Sequence, residues 1–156
     1  MINQSGSVVI GTVQRQADTQ QVVNLVRKSN RILASISSYG FPIKLLADTI
    51  NIEEGRVTII TRNFFLSSQV HSVDIKDISN IFINTAPFFA QLVIVSKTFM
   101  ENEIKIKNLR KDEAVQARRI IEGLRIFENK QVDTSVYSTK ELVAKLQELS
   151  TTEIVT

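Results

Sequence analysis

The sequence has no cysteine and no tryptophan, and only two prolines, five glycines and one histidine in 156 residues. Without cysteine it forms neither a disulfide framework nor a thiolate zinc site. The glycines are scattered, so no glycine-rich loop is present to cradle a phosphate, and no nucleophile–base motif accompanies them. A hydrolase or transferase is not expected, and no cofactor or metal is implied. Long apolar runs are also missing. The nearest approach, Ile32 to Ala47, is broken by Ser35, Ser37, Ser38, Gly40, Pro42 and Lys44. That falls short of the roughly 18 uninterrupted apolar residues of a spanning helix. Met1 to Thr12 lacks the basic region and apolar run of a signal peptide. A cytoplasmic address follows as the expectation, with peripheral membrane association as its variant.

Charge of one sign is scarce too. The net charge is +3, and the excess sits in the first 40 residues, with four basic residues against one acidic. That is far from the basic face of a dedicated nucleic-acid binder, so no nucleic-acid partner is expected. What the chain does have is 43% hydrophobic and 22% charged residues. This is ordinary for a globular domain and enough for a core. The length suits one domain with extensions.

Asp18 opens a helical pattern in which Val22, Leu25, Val26, Ile32, Leu33 and Ile36 recur at steps of three and four, predicting a helix over 18–38. Asp18 and Gln21 have capping-box spacing. Gln20, Asn24, Arg27, Lys28 and Arg31 fall on the other side, and Gly40 with Pro42 ends the helix. The period then changes to two. Ile50 and Ile52 alternate with polar neighbours, and Glu54-Gly55 reads as a tight turn in which Gly55 supplies positive φ. Strands follow at Arg56 to Arg62, Phe65 to Ile75 and Ile78 to Thr85. Phe88 to Lys97 is apolar on both faces, the mark of a covered central strand. After a turn at Glu101-Asn102, Ile104 and Ile106 alternate with Glu103, Lys105 and Lys107, so one face of that strand meets water.

From Lys111 the period becomes 3.6. Ala117, Ile120, Ile121, Leu124 and Phe127 share one face, while Asp112 and Glu113 suit the positive end of the helix dipole. Asn129 to Tyr137 reads as a linker. Ser138 and Glu141 repeat the capping-box spacing ahead of Leu142, Val143, Leu146 and Leu149, a helix short enough that it must dock to persist. The division is an N-terminal extension with an amphipathic helix over 1–40, a β-rich domain over 41–128, and a linker with a short helix over 129–156.

Three stretches carry a resemblance: DTINIEEGRVTIITRNFF, then DISNIFINTAPFFAQLVIV, then EIKIKNLRKDEAVQARRIIEGL. Strands closed by one C-terminal helix in this order resemble the small prokaryotic pleckstrin-homology-like (PH-like) group over about 41–128. The resemblance implies an α+β fold, mainly β, with a bent antiparallel sheet or barrel of six to seven strands. A seventh strand is expected in Ile43 to Ala47 or within Phe65 to Ile75. It implies no catalysis, and work as an oligomerisation or peptide-binding scaffold. Relatives that bind inositol phosphates use basic residues beside the first hairpin. The turn Glu53-Glu54-Gly55-Arg56 has two carboxylates there, which repel phosphate.

The candidate contacts for an anionic ligand are Arg56, Lys105, Lys107, Arg110 and Lys111. Their plainer reading is a solvated edge that discourages aggregation. Phe64-Phe65 and Phe88-Phe89 are aromatic pairs whose members point to opposite faces of a strand. Phe64 and Phe89 are the candidates for partner contact, against packing beneath the N-terminal helix. His71 reads as an ordinary strand histidine, because Asp74 falls on the opposite face. Glu53, Glu54, Glu101 and Glu103 read as turn carboxylates facing water. The reading that results is a non-catalytic interaction or assembly module with a protein or peptide partner, including another copy of itself. The alternative is a peripheral binder of anionic membrane surfaces or phospholipid headgroups.

Overall fold

The computed structural model describes residues 5–40, 47–63, 67–98 and 103–150, and, within the first helix, side chains 12–26. Helix α1 (Ser5–Asn30) leads into strands β1 (Ile32–Ser37), β2 (Thr49–Glu53), β3 (Arg56–Arg62), β4 (Ser68–Asp74), β5 (Ile78–Thr85), β6 (Ala90–Ser96) and β7 (Glu103–Leu109). Helices α2 (Lys111–Asn129) and α3 (Thr139–Leu149) close the chain. The strands form two antiparallel sheets in sequence order, β1-β2-β3-β4 and β5-β6-β7. Backbone bonds join them at their corners. Ile75 N–H donates to Gly55 O at 3.0 Å, and Tyr39 N–H donates to Asn108 O at 2.7 Å. Helix α2 lies over elements of both sheets, and α3 packs on α2.

Six of the seven strands fall where period-two alternation placed them. The seventh does not. Residues 32–37 form β1, paired along β2 from Ile32↔Glu53 to Ser37↔Thr49, whereas the spacing predicted helix to Ser38. Leu33 and Ile36 are buried and Ile32 is exposed, so one apolar triplet served two periods. The β-branched residues Ile32 and Ile36 favour the pleated surface once β2 is there to pair with. The sheet thus takes in a stretch read as part of the N-terminal extension. The helix also starts earlier than expected. Asp18 lies in its interior and caps nothing. Ile43 to Leu46 and the Glu101-Asn102 turn lie outside the described residues.

The core is one cluster drawn from both sheets, α2 and α3. Ala117, Ile120, Ile121, Leu124 and Phe127 are all buried in it, as the 3.6 period required. A bulge between Ile78 and Asn80 puts an extra residue into β5, so Ile78 and Ile81 both reach the core. On β6, Leu92 and Ile94 face the core while Val93, on the other face, is also fully buried. The register flanks Val93 with Phe82 and Lys105. Side chains of the same sheet therefore stand beside that second apolar face.

Helix α3 is held by the expected capping box. Ser138 Oγ accepts from Glu141 N–H and the Glu141 carboxylate accepts from Ser138 N–H. The Ser138 hydrogen bonds hold the Glu141 carboxyl below its usual range. Leu142 and Leu146 are fully buried. The approach of the two helices is set by Gly123, where a Cβ would stand 2.6 Å from Leu146 O. At an open helix position alanine would stabilise by about 1 kcal/mol over glycine. Here Gly123→Ala must push α3 away, and chemical denaturation is expected to show a loss of about 1–3 kcal/mol instead. Gly55 differs. It has no positive φ, contrary to the expectation for that turn, and a Cβ there meets open space.

Candidate functional site

The most organised polar constellation in the described residues lies where α1 meets the domain. Arg31 is the residue between α1 and β1. Its Nε donates to Glu54 Oε2 at 2.8 Å and its Nη2 lies 2.8 Å from the same oxygen. Nη1 donates to Tyr137 O at 2.7 Å, and Nη2 to Thr134 O at 3.1 Å. Thr134 Oγ1 donates to Glu54 Oε1. One guanidinium thus ties together the base of α1, the β2–β3 turn and the α2–α3 connection.

Glu54 is 2% exposed and Thr134 is 4% exposed. An unpaired carboxylate at that depth would cost several kcal/mol, and the ring of donors offsets that cost. This overturns the reading of Glu54 as a turn carboxylate in water. It also changes the chemistry of the turn. Glu53 pairs with Arg56 at 3.2 Å and Glu54 with Arg31, so both carboxylates there are engaged within the protein. Arg31 itself is not on a wet helix face, as the periodicity had suggested.

Beside this knot opens a cavity of about 350 Å³. Gln21, Asn24 and Leu25 of α1 form one wall, Val132, Asp133 and Ser135 the other, and Arg31 and Glu54 the floor. The guanidinium is spent on structural bonds. The cavity therefore offers amide, hydroxyl, carboxylate and apolar surface rather than a free cation.

The five candidate cations are not gathered into one site. Arg56 begins β3 in the first sheet, while Lys105 and Lys107 lie on β7 in the second and Arg110 and Lys111 at the start of α2. Lys105 pairs with Glu103 at 2.9 Å and Arg110 with Asp112 at 3.1 Å, all exposed. Lys111 Nζ donates to Pro87 O at 3.0 Å. Such exposed pairs contribute little to stability, about 0–1 kcal/mol. Lys107 is exposed. Of the aromatic candidates, Phe64 lies outside the described residues. Phe89 is half-buried, its ring centroid 5.8 Å from that of Tyr39. Its neighbour Phe88 is the outward member, 84% exposed. His71, half-buried on β4, pairs in register with Ile59.

Sequence reasoning missed Arg31, Glu54 as a buried group, and Thr134. Their partners are separated by up to 106 residues along the chain. No local spacing could signal them. Gly123, inside an otherwise helical pattern, was the one legible hint of a close approach.

Four strands and three in sequence order, joined at their corners and closed by the helix after the last strand, make this an α+β, mainly β, fold whose architecture fits the PH-like arrangement. A crystal structure of a DUF1696 family protein with a pleckstrin-homology domain from Shewanella loihica PV-4 is similar to this chain. The two share 18% identity with a TM-score of 0.41, over 50% of this chain and 70% of that one. No family model matches the sequence, and no curated protein does.

Proposed function

We propose that this protein is a non-catalytic interaction and assembly module of the prokaryotic PH-like kind, working in the cytoplasm, whose partner is a protein or peptide. The observation that carries the proposal is α1. It is 26 residues long, or about 39 Å, and makes no extensive contact with any other element among the described residues. Val13, Val22, Val23, Leu25 and Val26 are each more than half exposed on it. A lone helix rich in valine is marginal in water, because β-branched side chains lose rotamer freedom and, among the described residues, little tertiary packing compensates. A partner surface supplies the missing contact. The Arg31 knot fits this use, since it fixes the root of the helix to three parts of the domain. The same knot commits the one buried carboxylate among the described residues to structure, which favours binding over acid–base chemistry.

Light scattering on the full chain tests the proposal. Wild type is expected to run above its monomer mass, alone or with a captured protein. Val22→Asp/Val23→Asp, both at exposed positions, should return it to a monomer with an unchanged melting curve. A wild type that stays monomeric and captures nothing would refute the proposal.

A further inference from the structure

The outer edge of the first sheet carries a separate conclusion. Strand β4 is that edge, and among the described residues its extensive contacts are with β3 alone. An open edge presents unpaired backbone groups, and native proteins ordinarily blunt it with bulges, charges or a covering element. The other three edges are blunted. The pairings of β1 with β2 and of β5 with β6 each contain a register shift, and β1 and β5 also lie against helices. Strand β7 alternates Glu103, Lys105 and Lys107 along its exposed side. Ser68–Asp74 has no bulge, no lysine, arginine or proline, and one carboxylate at its end.

The bonds at the two ends of the β3–β4 ladder set which backbone groups are left over. Asn63 N–H donates to Ser67 O at 2.8 Å, and Ile75 N–H donates to Gly55 O at 3.0 Å. With the register unbroken between them, residues 69, 71 and 73 bond to β3, and the N–H and C=O of Ser68, Val70 and Ser72 point away from it. Side chains alternate as well. His71 and Val73 face the core side, beside Ile59 and Val57, while Val70 stands 61% exposed on the outer side.

This edge is complementary to itself. Laid antiparallel on a second copy about a two-fold at His71, the whole of β4 overlaps. The outward groups then meet as hydrogen-bonded pairs, Val70 with Ser72 and Ser68 with Asp74 of the second copy. A one-residue slip would set outward groups against inward ones and break the ladder. The charges fit too. Neither the Asp74 carboxylate nor the Arg62 guanidinium has a partner among the described residues. Arg62 lies beside Ser68 in the β3–β4 register. The two-fold therefore puts it on one row with Asp74 of the second copy, two strands or about 10 Å away.

We infer that β4 pairs antiparallel with β4 of a second copy, joining two four-stranded sheets into one across a two-fold axis at His71. One strand pair of this length buries less than the roughly 1,200–2,000 Å² of a stable interface. It does not hold two copies together alone. The inference therefore rests on the assembly reading, in which α1 raises the local concentration of the edge.

Disulfide trapping in the full chain tests this, because a protein without cysteine reports only on the one introduced. His71 falls opposite its own copy in a non-hydrogen-bonded pair, where Cα atoms stand about 4.5 Å apart and a disulfide can close. Under mild oxidation His71→Cys is expected to give a linked dimer. Gln69→Cys, exposed on the same face, would sit about 14 Å from its copy and should link at least about ten-fold more slowly. Val70→Pro takes away an outward N–H that lies outside the β3–β4 ladder, so it should slow the linking of His71→Cys by a similar factor. A wild type above its monomer mass, with His71→Cys linking no faster than Gln69→Cys, overturns the inference and leaves the α1 reading standing. Linking unchanged by Val70→Pro overturns it too. A monomeric wild type that captures nothing removes both. Loss of a captured foreign protein on Val70→Pro, without linking of His71→Cys, assigns the edge to another chain and overturns the self-pairing.

Discussion

Arg31→Ala is expected to destabilise the protein by about 3–5 kcal/mol, the range for removing one partner of a buried ion pair. The side chains of Arg31 and Glu54 are 13% and 1% exposed, so Glu54 is left without its charge partner at a buried position. The Tyr137 carbonyl loses its Arg31 donor in the same step, and the Thr134 carbonyl is left with Tyr137 N–H. In a domain whose whole stability is about 5–15 kcal/mol, this leaves little margin. Urea denaturation measures it. The double variant Arg31→Met/Glu54→Leu separates the pair from its desolvation. It removes both charges and is expected to recover much of the loss. A double variant no more stable than Arg31→Ala would show that the knot acts through shape rather than charge. Hydrogen exchange adds a spatial readout. In Arg31→Ala, amides around Thr134 to Ser138 and at the root of α1 should exchange faster before the sheets do.

Leu124→Asp is expected to be more severe. Leu124 is 3% exposed on the face of α2 that covers the sheets. The new carboxylate loses the apolar contacts and must either stay charged without a partner or take up a proton. Losses above about 4 kcal/mol belong to this mechanism. For a chain of this size each kcal/mol shifts the melting temperature by about 2–4 °C. A melting curve by circular dichroism should fall by more than about 10 °C, or show no folded baseline. A wild-type curve would remove Leu124 from the core and with it the placement of α2.

The strands from Thr49 to Leu109 were legible because most alternate about one buried face while β6 is a short run apolar on both, and both patterns are local properties. The α2 stripe and the α3 capping box were legible for the same reason. The stretch 32–37 was not. Ile32, Leu33 and Ile36 satisfy helical spacing, and only the presence of β2 makes the extended form the better one. The turn at Gly55 was placed correctly, but its backbone conformation was assigned from residue type alone.

Periodicity by itself determined the run of strands closed by a helix, the number of those strands to within one, the core face of α2 and the capped start of α3. These depend on neighbours within one or two turns of the chain. Tertiary structure alone decided that Glu54 is buried and paired and that Gly123 is the contact point of two helices. Each of those joins residues far apart in sequence. Their energies come from desolvation and close approach, which exist only once the sheets and helices have packed.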